Sequence, residues 1–209
     1  FEEALAGADG VFIACLVPVY FGLTGTPARE MDDAQGYTEI IMPTVDGCLN
    51  IMRAAAGQDV RNVVICSSTS STNPVPAVPV KNEVEHWSDE AEQCQAKKYT
   101  SATKTVMEKA AMAFAGEHGM RLFLAAYERP EASGRYFGVR ESWHWQDIYT
   151  ELHKLLPEMP MPAPLNEPPV TPTGFDTTRR DSLGVAVRDI PTILRETVEW
   201  LKSDPFDTR

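Results

Sequence analysis

The sequence is poor in the features that mark several protein classes. No apolar run approaches the roughly 18 residues of a membrane span, so none is expected. Lysine and arginine number 19 against 30 acidic residues, a net charge of −11, so a nucleic-acid-binding surface is not expected either. No metal site of the C-x-x-C type is expected, because no such spacing occurs among Cys15, Cys48, Cys66 and Cys94. We interpret these cysteines as small buried apolar residues without disulfides, in a soluble protein of the cytoplasm or another reducing compartment.

The overall size and composition are those of an ordinary globular protein. The 209 residues suffice for one sizeable core or two small domains, with 43% apolar and 23% charged residues. The sequence starts at Phe1 instead of Met, and this predicts a processed or incomplete chain.

Three apolar runs alternate with two helical patterns in the first 128 residues. The runs are 10–17, 60–68 and 120–127, and the helical patterns cover 37–56 and 98–118. Strands that are apolar on both faces, with helices between them, are typical of a parallel sheet. The sequence therefore predicts an α/β fold of the Rossmann type, with a doubly wound parallel sheet that is incomplete as given.

The last third of the sequence has a different pattern. We expect a strand over 135–139, helices over 145–156 and 190–202, and an irregular proline-rich stretch over 159–173. We therefore predict a partial nucleotide-binding domain over 1–128 and a small C-terminal substrate lobe over 129–209.

Two groups of residues could carry chemistry. Ser67 and Ser68 follow the second apolar run, and ligands of parallel sheets bind beyond the carboxyl ends of the strands. Tyr99 and Lys104 open the second long helix. A lysine can lower the pKa of a nearby phenol, which then protonates a carbonyl oxygen that a serine hydroxyl holds. A turn serine and a solvated Tyr–Lys pair are the plainer interpretation. A serine nucleophile has no support, because the sequence lacks G-x-S-x-G.

Taken together, the segments resemble the extended short-chain dehydrogenase/reductase superfamily, in the group of dihydroflavonol and cinnamoyl-CoA reductases. The resemblance runs nearly end to end, through FEEALAGADGVFIAC, PTVDGCLNIMRAA, VRNVVICSS, WSDE, KTVMEKAAMAFAGEHG, RPEASGRYF, FDTTRRDSLGV and LRETVEWLK. Each of these segments alone is weakly specific for the family. The resemblance rests on their order and spacing along the sequence.

The resemblance implies an enzyme that uses NADP or NAD to reduce an aldehyde, a ketone or a flavonoid- or phenylpropanoid-like carbonyl compound. Ser68 matches the catalytic serine, and Lys104 matches the lysine that holds the nicotinamide ribose. Tyr99 would be the acid. The resemblance assigns the cofactor-binding loop and its neighbours to Ala14, Cys15, Pro18, Ser67 and Lys104.

The tyrosine spacing departs from the family. The family has Tyr-x-x-x-Lys, whereas five positions separate Tyr99 from Lys104 and Thr100 takes the family position. Five helical steps set two side chains about 140° apart. A one-residue π-bulge could restore the geometry, or Tyr99 could precede the regular helix.

Two family segments have no counterpart in this sequence. The phosphate-binding motif G-x-x-G-x-x-G is absent, so cofactor binding requires a segment that this sequence does not supply. After Leu122 a block of several elements is skipped, and 123–128 lead directly into RPEASGRYF.

These departures leave a second hypothesis open. The protein could be a catalytically degenerate reductase fold that serves as an accessory subunit, with a protein partner that covers an exposed sheet edge. The reductase hypothesis instead requires a small-molecule carbonyl substrate.

Overall fold

The computed structural model of the chain describes residues 1–14, 20–124, 132–163 and 171–203. The strands are β1 Gly10–Ile13, β2 Asn62–Ile65, β3 Val80–Lys81, β4 Arg121–Leu124, β5 Gly134–Arg135 and β6 Gly174–Phe175. Four of them form a central sheet in the order β1-β2-β4-β5, in which all neighbouring strands run parallel. Strands β3 and β6 form a separate parallel pair.

Eight α-helices lie in the described ranges. They are α1 Glu2–Leu5, α2 Asp33–Gly36, α3 Met42–Gly57, α4 Glu90–Gln95, α5 Tyr99–Glu117, α6 Trp145–Leu155, α7 Thr178–Ser182 and α8 Ile190–Lys202. A π-helical turn over Tyr37–Ile41 joins α2 to α3, and a 3₁₀ turn over Thr69–Thr72 follows β2. None of the helices in the described ranges has the length and apolar character of a membrane span.

The core lies between the sheet and the two longest helices. Val63 and Ile65 of β2 are buried, and so are Cys48 and Met52 of α3. Helix α5 contributes small side chains such as Ala102 and Ala111, which let it approach α3 closely. Burial of apolar side chains from both helices fixes α5 against the sheet, and this places its polar residues near the end of β2.

The structure confirms the predicted parallel α/β fold and shortens several elements. The strand expected over 135–139 is reduced to the two residues of β5, Gly134–Arg135. The third apolar run, expected over 120–127, forms β4 over Arg121–Leu124, and residues 125–127 lie outside the described ranges. Helix α8 has the predicted bounds. Cys48 is buried as expected, whereas Cys66 is exposed, so the prediction that every cysteine is buried is wrong there. Cys66 lies just past the end of β2, on the wall of an open cavity.

The two predicted regions are connected through their strands. Strand β5, from the predicted substrate lobe, pairs with β4, and β6 pairs with β3. The division at residue 128 stays a prediction, since residues 125–131 lie outside the described ranges. Among the described residues, β1 pairs only with β2 and forms an edge of the sheet, and a partner that covers this edge also stays a prediction.

Candidate active site

A cavity of about 450 Å³ opens at the carboxyl ends of β2 and β5. This is the position where parallel sheets bind ligands. Polar side chains on its wall include Ser67, Ser68, Thr69, Ser71, Glu83 and Arg135. The sequence prediction that Ser67 and Ser68 face a ligand crevice is consistent with this position.

One wall of the cavity is a buried cluster of charged and hydroxyl groups, which we call the carboxylate cluster: Glu108, Arg135, Ser67 and Ser71. Glu108 Oε2 accepts from Arg135 Nε at 2.9 Å, and both side chains are almost completely buried. Glu108 Oε1 accepts from the hydroxyls of Ser67 and Ser71, the latter at 2.6 Å. Glu108 therefore ties α5 to the segment that follows β2.

Arg135 connects the same cluster to three backbone segments. It donates to the carbonyl oxygens of Glu83 (2.8 Å), His86 (3.0 Å) and Ser71 (3.3 Å), and to Ser71 Oγ (3.2 Å). Its guanidinium carbon lies 3.7 Å from the ring centroid of Trp87. Burial lowers the pKa of Arg135, and Glu108 opposes that shift. The guanidinium stays charged, as arginine does in proteins.

Ser68 keeps a hydrogen-bond donor for a ligand. Its Oγ accepts from the Ser70 amide at 3.1 Å and so caps the 3₁₀ turn. No acceptor for its own hydroxyl proton occurs among the described residues. A hydroxyl with a spare proton on a cavity wall can orient a carbonyl oxygen.

Lys104 is buried on α5, one helical turn before Glu108, with 8% of its surface exposed. Burial lowers the pKa of its ammonium group, whereas Cys48, Cys66 and Glu108 raise it. Cys66 lines the cavity, whereas Lys104 does not.

The Tyr99 hydroxyl lies in a second polar cluster, the phenol cluster: Tyr99, Asp33 and Lys97. Tyr99 is fully buried and donates to Asp33 Oδ1 at 2.9 Å, while Lys97 Nζ donates to its hydroxyl at 3.2 Å. Burial raises the pKa of Tyr99, Lys97 lowers it and Asp33 raises it further. Helix α5 is regular from Tyr99, without a π-bulge before Lys104. The structure thus directs the phenol to α2 and does not bring it together with Ser68.

The other predicted cofactor residues are only partly described. Ala14 is exposed just past the end of β1, whereas Cys15 and Pro18 lie outside the described residues. No group of three metal-ligating side chains occurs within the described ranges.

Four site residues were not found from the sequence: Ser71, Glu83, Glu108 and Arg135. Glu108 had a usable signal, because it lies four residues after Lys104 and helical periodicity puts both on one face of α5. Glu83 and Arg135 had none, since their positions depend on a turn and a two-residue strand far apart in the sequence.

The known proteins that match this chain in sequence include several that are named as reductases. The chain is 26% identical to cinnamoyl-CoA reductase 1 of Petunia hybrida over an alignment of 257 residues. This alignment covers 96% of the chain and 73% of that protein. It is 38% identical to dihydroflavonol 4-reductase of Hordeum vulgare over an alignment of 130 residues. This second alignment covers 57% of the chain and 32% of that protein. The chain thus spans about a third of this second relative's length. No family model matches the chain.

A solved structure shows the same fold. Vestitone reductase from alfalfa superposes with a TM-score of 0.72 at 15% identity, over 98% of this chain and 79% of that one. The 257-residue petunia match is longer than this chain of 209 residues, so the relative contains internal residues that this chain lacks. These findings confirm the resemblance to the extended short-chain dehydrogenase/reductase superfamily, in the group of cinnamoyl-CoA and dihydroflavonol reductases.

Proposed function

We propose that this protein is an NAD(P)H-dependent oxidoreductase that reduces the carbonyl group of an aldehyde or ketone. The observation that carries the proposal is the Ser68 hydroxyl, which lines the cavity with a proton to donate. Lys104 is buried nearby on α5. The names of the sequence relatives support the same reaction type.

The residues present fit the nicotinamide end of such a cofactor. The cavity volume of about 450 Å³ admits a nicotinamide ring and a small substrate. Lys104 does not line this cavity, so it would have to contact the ribose from beside it. The sequence holds no glycine motif for the pyrophosphate end. A bound nicotinamide would supply the hydride for the carbonyl carbon.

The protein residues would orient the substrate and handle the proton. Ser68 would donate a hydrogen bond to the carbonyl oxygen and hold it as negative charge develops there. The role of Tyr99 as the acid stays a prediction, and it requires the phenol to leave Asp33. The substrates in the names of the relatives make cinnamoyl-CoA and a dihydroflavonol the first compounds to try.

The test is oxidation of NADPH by the full native protein, with the segment that carries the phosphate-binding motif present, and with cinnamoyl-CoA, a dihydroflavonol and a simple aromatic aldehyde as substrates. We expect turnover with at least one of them, and a loss of about 100-fold in kcat for Ser68→Ala, the magnitude typical of one lost oxyanion donor. Lys104→Met should raise the KM for NADPH. Ser101→Ala, a serine of α5 that does not line the cavity, is the matched control.

Failure of the wild-type protein to bind NADPH or to turn over any of these compounds would overturn the proposal. It would then favour the degenerate reductase fold. Turnover that Ser68→Ala leaves intact would place the reaction elsewhere.

A further inference from the structure

The cavity beside Ser68 offers more hydrogen-bond acceptors than donors. Arg135 is the one cationic side chain among the described residues that line it. Its five N–H groups already have acceptors, in Glu108, Ser71 and the carbonyl oxygens of Glu83 and His86. Arg135 therefore has no donor left for an anionic ligand.

The hydroxyls of the carboxylate cluster are committed in the same way. Ser67 and Ser71 both donate to Glu108 Oε1, so toward a ligand they present lone pairs. Glu108 itself is satisfied, because both of its carboxylate oxygens accept hydrogen bonds.

Glu83 is different from Glu108. It is 2% exposed, it lines the cavity, and no donor reaches its Oε1 from the described residues. A buried carboxylate oxygen without a partner is costly, because it has lost water and gained nothing in return. A ligand in the cavity that brings a donor to this carboxylate recovers part of that cost.

The charge balance of the wall points the same way. Two carboxylates, Glu83 and Glu108, line the cavity beside a single guanidinium whose donors are all committed to protein acceptors. The buried Lys104 lies one turn before Glu108 and interacts with it, but it does not line the cavity. An anionic ligand would therefore find no cationic donor to pair with on this wall and would bear the cost of burying an unpaired charge.

We infer that Glu83 is a specificity-determining residue of the cavity. Its carboxylate accepts a hydrogen bond from a hydroxyl or protonated amine of the carbonyl ligand, and the cavity discriminates against carboxylates. The inference deepens the proposed function, on which it rests for the identity of the ligand as a carbonyl compound.

The test uses four ketones of one shape: acetophenone and its meta-hydroxymethyl, meta-dimethylaminomethyl and meta-carboxylate derivatives. Ligand-detected NMR titration of the whole chain at neutral pH gives a Kd for each probe. We expect the hydroxymethyl and amine probes to bind about tenfold more tightly than acetophenone, the gain typical of a hydrogen bond to a charged group. The carboxylate probe should bind most weakly.

Two variants assign the preference to Glu83. Glu83→Gln keeps an acceptor oxygen and loses the charge, so the amine probe should lose about tenfold in affinity while the hydroxymethyl probe changes little. Glu85→Gln is the matched control, because Glu85 is exposed in the same turn and does not line the cavity. The ranking in the wild-type protein remains a test if Glu83→Gln fails to fold.

Three outcomes would overturn the inference: the carboxylate probe binding as tightly as the hydroxymethyl probe, no binding of any probe, or an unchanged amine preference in Glu83→Gln. Binding does not depend on turnover. The expected ranking without NADPH oxidation would leave the inference standing and remove the proposed function. Turnover of a carbonyl substrate together with a reversed ranking of the probes would support the proposed function and overturn the inference about Glu83.

Discussion

Helix α5 carries two polar clusters that differ in burial and in what they hold together. In the carboxylate cluster, the side chains of Arg135 and Glu108 are 6% and 2% exposed. In the phenol cluster, those of Lys97 and Asp33 are 39% and 56% exposed around a buried ring. The first cluster joins α5 to β5 and to the segment after β2, whereas the second joins α5 to α2.

The difference decides which cluster the candidate site depends on. A buried ion pair adds little net stability, yet removal of one partner leaves an uncompensated charge in a dry environment. An ion pair between solvent-exposed side chains contributes little to stability, so the removal of one partner changes the free energy of unfolding little. The geometry around Ser68 therefore depends on Glu108 and Arg135, and it should tolerate changes at the Tyr99 hydroxyl.

The largest expected effect comes from removal of the buried cation. Arg135→Met leaves the buried Glu108 without its ion-pair partner, and it removes the donors to three backbone carbonyls. We expect the free energy of unfolding to fall by about 3–5 kcal/mol, measured by urea denaturation.

A surface pair provides the control for this prediction. Arg188 is 67% exposed beside Glu196, and Arg188→Met should change the free energy of unfolding by at most about 0.5 kcal/mol. The double variant Arg135→Met with Glu108→Met should recover much of the loss, because it removes both charges. An Arg135→Met cost no larger than that of the control would contradict the buried cluster.

The second prediction tests the ring of Tyr99 separately from its hydroxyl. A Cβ atom at Gly36 would lie 2.4 Å from the nearest atoms of that ring, so Gly36→Ala should overpack the contact between α2 and α5. We expect a loss of about 1–3 kcal/mol in urea denaturation.

The matched control for Gly36 is Gly47, the glycine in the interior of α3. A Cβ at Gly47 meets nothing within 4 Å, so Gly47→Ala should stabilise the protein by about 0.5–1 kcal/mol through helix propensity. Equal effects of the two substitutions would show that the ring does not pack against α2 as described.

The fold was predictable because its signals are local. Val63, Val64 and Ile65 form a run that is apolar on both faces, and such a run predicts a buried parallel strand. The apolar spacing over α8 gave its bounds in full, since period and length agree within one segment.

The carboxylate cluster was not predictable because it has no local pattern. Arg135 and Glu108 are 27 positions apart, and their meeting depends on how β5 pairs with β4. The geometry of Tyr99 was predictable only in part. The five-residue spacing indicates that its side chain and that of Lys104 point apart on a regular helix, but only the tertiary structure places Asp33 against its hydroxyl.

The smallest expected effect is loss of the Tyr99 hydroxyl. Tyr99→Phe removes the hydrogen bond to Asp33 and keeps the ring, so we expect a cost of about 1 kcal/mol in the free energy of unfolding near neutral pH. Tyr20→Phe is the control, because Tyr20 is 64% exposed and its substitution should change stability by at most about 0.5 kcal/mol.

The cost of Tyr99→Phe should also depend on pH. The ordinary pKa of tyrosine is 10.0, and in the folded protein burial raises the pKa of Tyr99 above it. As pH rises through that range, the unfolded chain loses the phenol proton before the folded protein does, so wild-type stability falls with pH. Tyr99→Phe lacks this proton. The variant also lacks the hydrogen bond to Tyr99 that raises the pKa of Lys97, a contribution to stability that wild type likewise loses as pH rises. Urea denaturation between pH 8 and about 11 should therefore show the gap between wild type and variant closing, whereas a constant gap would place the phenol in water.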